Sequence, residues 1–499
     1  MKLDLLLVNP NTRRQVYQGL GTELAAVENP VWAGLIAAFA MRRGVSVRIL
    51  DAEAEGWSAE KAAQEAAALD PVLTAVVIYG HQPSASTQNM PGARAFATEF
   101  KRLDPTRKLL FVGGHVASLP ERTLKEETAD FVCTGEGLHT VVDLVAALKA
   151  GASDLKRVPD LAYRDGLGVA MTPAAPLVQD LDRDMPVMPW ELLPMDKYRA
   201  HNWHCFDSLK RQPYASIYTT LGCPYHCTFC CIQAPFKAGE AAAGMKASVN
   251  SYRMWSAKSV LAQLEILVEK YGVRNVKLAD ELFVLNPSHV ETICDGIIER
   301  GWDLNFWAYA RVDSVRDRQI EKLKKAGVNW LAFGIEAADA KVRDDVQKGF
   351  DQADIATIIG KARAAGIRVI GNYIFGLPED DLSTMQKTLD MALDLNCEFA
   401  NFYCTMAYPG SELYRQAVAQ NWKLPDSWSG FSQHSVDTLP LPTRHLTAGQ
   451  VLKFRDAAFR TYFTNPRYLQ MVERTFGAPT VAHIREMTRH TLERKFAAS

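Results

Sequence analysis

The chain has 499 residues, 48% of them hydrophobic and 23% charged, with 56 Lys and Arg against 57 Asp and Glu for a formal net charge of −1. Interspersed charges in near balance give no electrostatic footprint for nucleic acid or an anionic membrane, and the length exceeds one ordinary core, pointing to about three domains. The apolar run at residues 31–41 is shorter than the ~18 residues of a membrane span. The opening run is shorter than the apolar region of a signal peptide. Nine cysteines, three of them clustered, fit a reducing compartment better than a disulfide framework, so the expected location is the cytoplasm.

From residue 1 to about 150, strand-like runs at 3–8, 45–50, 75–79, 109–112 and 131–133 alternate with helical patterns at 30–43, 58–69, 92–103, 121–127 and 138–149. Near-continuous apolar strands in such alternation predict a doubly wound, Rossmann-like parallel sheet. Ligands of these sheets bind beyond the carboxyl ends of the strands. The sequence places small and polar residues there: Asn9 and its neighbours, residues 80–86 with Ser84 and Ser86, Gly113-Gly114-His115, and Gly135-Glu136-Gly137. Each alone reads as a cap or turn; together at one edge they outline a ligand rim.

Residues 151–210 are rich in proline and lack a long periodic run, the mark of a connector. Next comes Thr220-Leu-Gly-Cys-Pro-Tyr-His-Cys-Thr-Phe-Cys-Cys231, which sets Cys223, Cys227 and Cys230 on one tight loop. A cubane iron–sulfur cluster takes four protein ligands, so a loop offering three leaves one iron open to an exogenous ligand. The competing reading is structural zinc, which needs a fourth ligand; Cys231 and His226 are the nearby candidates.

Between residues 211 and 422 six strands are expected, at 216–221, 275–279, 306–311, 330–335, 368–375 and 399–406, with helical patterns between them. Six parallel units are fewer than the eight of a closed barrel, so a partial (β/α)6 barrel with a lateral mouth is predicted. Its strand ends carry the cysteine loop, Asp280-Glu281, Arg311, Glu336 and Cys404. Cys404 is the one candidate for a thiol hydrogen donor, against the alternative of a buried inert cysteine; no other catalytic group stands out. Residues 423–499 read as a C-terminal helical region that closes the barrel and selects the substrate.

The three-cysteine spacing resembles that of radical S-adenosylmethionine (SAM) enzymes, and the strand-end turns of residues 1–150 resemble the cobalamin-binding domain that precedes many of them. The resemblance runs over nearly the whole chain. It implies a 4Fe-4S cluster on Cys223, Cys227 and Cys230 with SAM on the open iron, and cobalamin on the rim of the first domain. It further implies Phe229 near the adenine, Asp280 and Glu281 on the SAM ammonium, Arg311 on the carboxylate and Glu336 on the ribose. Cobalamin domains that supply an axial histidine carry Asp-x-His-x-x-Gly after the first strand; here that loop begins Asn9-Pro-Asn-Thr and has no histidine. His81 and His115 lie at other strand ends, but the resemblance implies cobalamin without a histidine ligand.

The expected activity is transfer of a methyl group from SAM, by way of methylcobalamin, to an unactivated carbon of a small molecule, with electrons from a flavodoxin or ferredoxin. Alternatives are a cobalamin-dependent oxidative cyclase or ring-rearranging enzyme, a tRNA methylthiotransferase, for which upstream cluster cysteines are lacking, and a non-catalytic cobalamin sensor with a zinc loop.

Overall fold

A computed structural model describes residues 2–21, 25–151, 155–166, 168–207 and 210–497. Five parallel strands, β1 (Leu5–Asn9), β2 (Val47–Asp51), β3 (Leu73–Val77), β4 (Leu109–Val112) and β5 (Phe131–Cys133), stand in the order β2-β1-β3-β4-β5. This is a doubly wound order in which ligands gather outside the carboxyl ends. β1, β3, β4 and β5 are buried along their whole length, as helices on both faces require. The sheet continues past the expected boundary at residue 150, because β6 (Leu161–Asp165) and β7 (Gly168–Met171) add to it antiparallel. The first part of the proline-rich segment is therefore sheet, and only its remainder connects.

β8 (Tyr214–Ile217), β11 (Asn275–Leu278), β12 (Asn305–Arg311), β13 (Val328–Glu336), β14 (Arg368–Phe375) and β15 (Phe399–Cys404) form the second sheet. All its neighbours are parallel, in the order β15-β14-β13-β12-β11-β8. It is the open six-unit barrel expected. The apolar run leading to the cysteines divides in two: after β8 the chain leaves the barrel and forms β9 (Thr220–Gly222), which pairs antiparallel with β10 (Tyr252–Met254). Asp280 explains the break. Its buried carboxylate accepts bonds from the Thr219 amide at 3.0 Å and from the Thr219 and Thr220 hydroxyls at 2.8 and 2.6 Å.

Both edges of the open barrel are covered. At β15 lies the helix Ala448–Phe463, whose Arg455 Nε donates to the Phe402 carbonyl at 2.8 Å. At β8 the fully buried Asn29, from the first domain, donates its amide to the Ser216 carbonyl at 3.0 Å and accepts from the Ser216 amide at 2.7 Å. The C-terminal region also reaches the first domain, where Trp428 lies edge-on to His115 at 4.4 Å and Ser432 Oγ donates to the Val16 carbonyl at 2.9 Å. Among the described residues no helix is long and apolar enough to cross a membrane.

Candidate active site

The strand ends of the first sheet and the cysteine loop of the barrel face one another. A cleft lies between them, walled by Gly80, Ser86 and Gly114 on one side and by Leu221, Gly222 and Cys231 on the other. A larger cleft adjoins it and shares Trp32, Tyr79, Gly80 and Tyr218; Asn9 and Thr12 line it.

On the rim of the first domain the expected residues separate into two groups. Gly114 and Ser86 border the smaller cleft, and Asn9 the larger. Gly113 lets β3 pass close behind, since a Cβ there would sit 2.1 Å from the Ile78 carbonyl oxygen. Ser86 Oγ donates to that same carbonyl and accepts the His115 amide at 2.9 Å. Ser84 and Ser86 are not in a free turn, because the helix there runs Ala85–Leu103 and carries Pro91 within it, with Ser84 at its N-cap. Asn9 uses its amide on Asp51 at 2.8 Å.

Four expected cofactor contacts are corrected. His115 is buried against Trp428 with Nδ1 at 3.0 Å from the Thr87 hydroxyl, and burial, aided by Arg122, pushes its pKa down to about 3. It is a neutral core histidine. Gly135 and Gly137 are needed by their own domain: a Cβ at Gly135 would meet the Asp160 carboxylate at 2.7 Å, and one at Gly137, which has a φ of 94°, would meet Val112 at 2.4 Å. Glu136 turns out to be an interdomain clamp. Its carboxylate pairs with Arg253 on β10 at 2.6 Å, the two side chains only 7% and 6% exposed, and the Arg253 guanidinium also holds the Val178 carbonyl at 2.6 Å. Since β10 pairs with β9, the clamp runs from the rim straight to the strand that precedes Cys223.

On the barrel side, Cys223, Cys227 and Cys230 are half-buried on the loop after β9. Among the described residues no three His, Cys, Asp or Glu side chains converge on a single-ion position. The three thiols stand on one turn, the local spacing in which a loop can hold three corners of a cluster. Cys231, directly after, faces the smaller cleft. Phe229 packs against the small core of Ala337, Val342, Val346 and Leu377 at the ends of β13 and β14.

Two cations flank Cys227. Arg311 Nη1 lies 4.0 Å from its sulfur, while the rest of the guanidinium is committed to Asp313 (2.8 and 3.1 Å) and to the Gly349 carbonyl (3.0 Å) and lies over Tyr225. Arg311 does not pair with the neighbouring acid Glu336. Glu336 instead pairs at 2.8 Å with Lys348, and it does so from a left-handed backbone, φ 62°, at the end of β13. Non-glycine residues held there store strain that the surroundings must stabilise, a feature common at ligand sites. Lys348 was not singled out by sequence reasoning. It lies on a loop, twelve residues from its partner, and its charge alone carried no signal.

Asp280 is spent on Thr219 and Thr220 as described, so it organises the loop entrance and is not a free acceptor for an ammonium. Glu281 is the acid that borders the smaller cleft. Burial, reinforced by Asp280 and opposed by Lys277 and Lys348, pushes its carboxyl up to about 7. A raised acid pKa means the folded state binds the proton more tightly than the unfolded one, so stability falls as pH rises from the ordinary glutamate range to about 7. Glu281→Gln is therefore expected to melt above the parent protein at pH 8 and level with it near pH 4, as measured by thermal unfolding of the apo form. Cys404 is buried in the core, its backbone held on both sides by Gln433 at 2.8 and 2.9 Å, and burial pushes its thiol up to about 12. It is a packing residue; Cys404→Ala should cost about 1 kcal/mol of stability and leave turnover unchanged in a product assay.

Residues 17–145 match the B12 binding domain and residues 217–392 the Radical SAM superfamily. The chain therefore carries a B12 binding domain followed by a radical SAM domain. This radical SAM protein is 27% identical over 468 residues to an uncharacterized methyltransferase of Pyrococcus horikoshii, covering 94% of each chain. It is 26% identical over 476 residues to the anaerobic magnesium-protoporphyrin IX monomethyl ester cyclase of Rubrivivax gelatinosus, covering 94% of this chain and 79% of that one. Its fold resembles that of the radical SAM methyltransferase TsrM from Kitasatospora setae, solved with cobalamin and a [4Fe-4S] cluster bound, at a TM-score of 0.64 and 18% identity over 84% of this chain and 75% of the other.

Proposed function

We propose that the protein is a cobalamin-dependent radical SAM methyltransferase that moves a methyl group from SAM to an unactivated carbon of a small molecule. The observation that carries this reading is the smaller cleft, bounded on one side by the cobalamin-type strand ends and on the other by Leu221, Gly222 and Cys231, the residues that flank the three cysteines. Bound there, the cluster and SAM supply a 5′-deoxyadenosyl radical and the corrinoid supplies a transferable methyl group.

The residues divide the work. Cys223, Cys227 and Cys230 hold the cluster, with Arg311 and Lys348 providing positive charge beside Cys227. Glu336 and Glu281 are the acids available to SAM at the strand ends, and Phe229 the aromatic face. Asn9, Gly80, Ser86 and Gly114 form the corrin-side wall, and Trp32, Tyr79, Tyr218 and Phe236 close the space to water. Electrons reach the cluster from a reductant protein such as flavodoxin or ferredoxin.

The test is anaerobic incubation of the reconstituted protein with SAM, a reductant and candidate substrates, following both 5′-deoxyadenosine and S-adenosylhomocysteine. Methyl transfer requires both products. A second reading, oxidative cyclisation, is favoured by the extent of the cyclase relative; it would give 5′-deoxyadenosine with no S-adenosylhomocysteine.

A further inference from the structure

At the loop after β3, four groups that lie far apart in sequence come together. Glu28, on the loop before the first long helix, accepts from His81 Nδ1 at 2.8 Å, and its other oxygen pairs with Lys277 of β11 at 3.1 Å and accepts from the Tyr214 hydroxyl at 2.8 Å. Lys277 is almost wholly buried, its side chain 2% exposed. A carboxylate facing Nδ1 fixes the proton on that nitrogen and leaves the Nε2 lone pair as an acceptor.

That Nε2 is buried and has no hydrogen-bond partner among the described residues. Leaving a buried ring nitrogen unpaired costs free energy unless something else meets it. His81 lies on the wall of the larger cleft with Asn9, Thr12 and Gly80, the carboxyl-end rim of the corrin-type sheet. A histidine whose far nitrogen is held by a carboxylate is the arrangement in which imidazole binds metal: the second group fixes the tautomer, orients the ring and raises its basicity.

We propose that His81 Nε2 is an axial ligand to the cobalt of the bound corrinoid, buttressed by Glu28. The ligand comes from the loop after the third strand, not from the loop after the first, whose Asn9 is committed to Asp51. The inference rests on the functional reading above, and it revises the expectation of a cobalamin free of protein nitrogen. Binding replaces whatever ligand the cobalt brings at that position with the imidazole, and no proton or electron is exchanged.

The experiment uses the full-length protein reconstituted with cobalamin, reduced to cob(II)alamin and examined by electron paramagnetic resonance, with natural-abundance and ¹⁵N-histidine-labelled samples. The expected result is nitrogen splitting of the cobalt lines that changes from triplet to doublet on labelling and disappears in His81→Ala. Glu28→Gln should weaken the ligation by roughly tenfold or more, the size seen when such a supporting group is removed. His81→Ala should also move the cob(II)alamin/cob(I)alamin couple to higher potential, since an axial nitrogen favours the more oxidised cobalt.

A triplet unaffected by labelling would mean that the corrinoid's own base is the ligand. No splitting at all would mean that no nitrogen is bound, and either result overturns the proposal while leaving the methyltransferase reading standing. Failure of the wild-type protein to take up any corrinoid would bring down both.

Discussion

Serine in place of Cys223, Cys227 or Cys230 is expected to leave the protein folded and remove its radical chemistry. The three thiols are half-buried and belong to no core cluster, and the packing of Phe229 beside them is untouched by the change, so the far-ultraviolet circular dichroism should match the parent. Iron and labile sulfide should fall to near zero after reconstitution, and 5′-deoxyadenosine formation should drop by three orders of magnitude or more, equivalent to about 4 kcal/mol of activation free energy. A variant that kept its iron would instead favour a different ligand set, with Cys231 as the nearest replacement.

The second large effect concerns the clamp between the domains. Arg253→Met would strand the Glu136 carboxylate in a site where its side chain is only 7% exposed. Removing one partner of a buried pair leaves an uncompensated charge and costs about 3–5 kcal/mol. In a domain of this size that corresponds to a fall in melting temperature on the order of 10 °C. The double variant Glu136→Gln with Arg253→Met should recover most of the loss, because the cost lies in the orphaned charge more than in the bond itself. Calorimetry of the apo proteins would read both values. Hydrogen exchange should show faster opening of Thr220–Gly222 in the single variant, since β9 is tied to the first domain through β10.

Much of the architecture could be read from the chain. Residues 109–112, 131–133 and 368–375 have the apolar continuity of buried parallel strands, and the structure begins and ends these strands where that continuity does. The cysteine loop was legible for a different reason: three ligands on one turn are local in sequence. What escaped was non-local. Asp280 breaks the strand after residue 217 through bonds to Thr219 and Thr220, sixty residues earlier, and no local pattern signals it. The helix beginning at Ala85 runs through Pro91, where a proline ordinarily argues for a boundary; tertiary bonds from Asn89 to Tyr79 and from Thr12 to Gln88 brace the turn before it. Glu28, Lys277 and Arg253 read as ordinary charged residues until the two domains are brought together. Glu136 and His115 sat in a ligand-like stretch of sequence, yet packing assigned them to the clamp and the core.

Asn29 has a consequence for how the molecule can be divided. By supplying one donor and one acceptor to Ser216, its side chain does for β8 what a seventh strand would do for a longer sheet. Cut away from residues 1–150, the barrel would be left with a bare margin of backbone groups of the kind that recruits other chains. An excised catalytic half is therefore expected to come out of the cell as insoluble or self-paired material, whereas co-expression with the missing half in trans should rescue it.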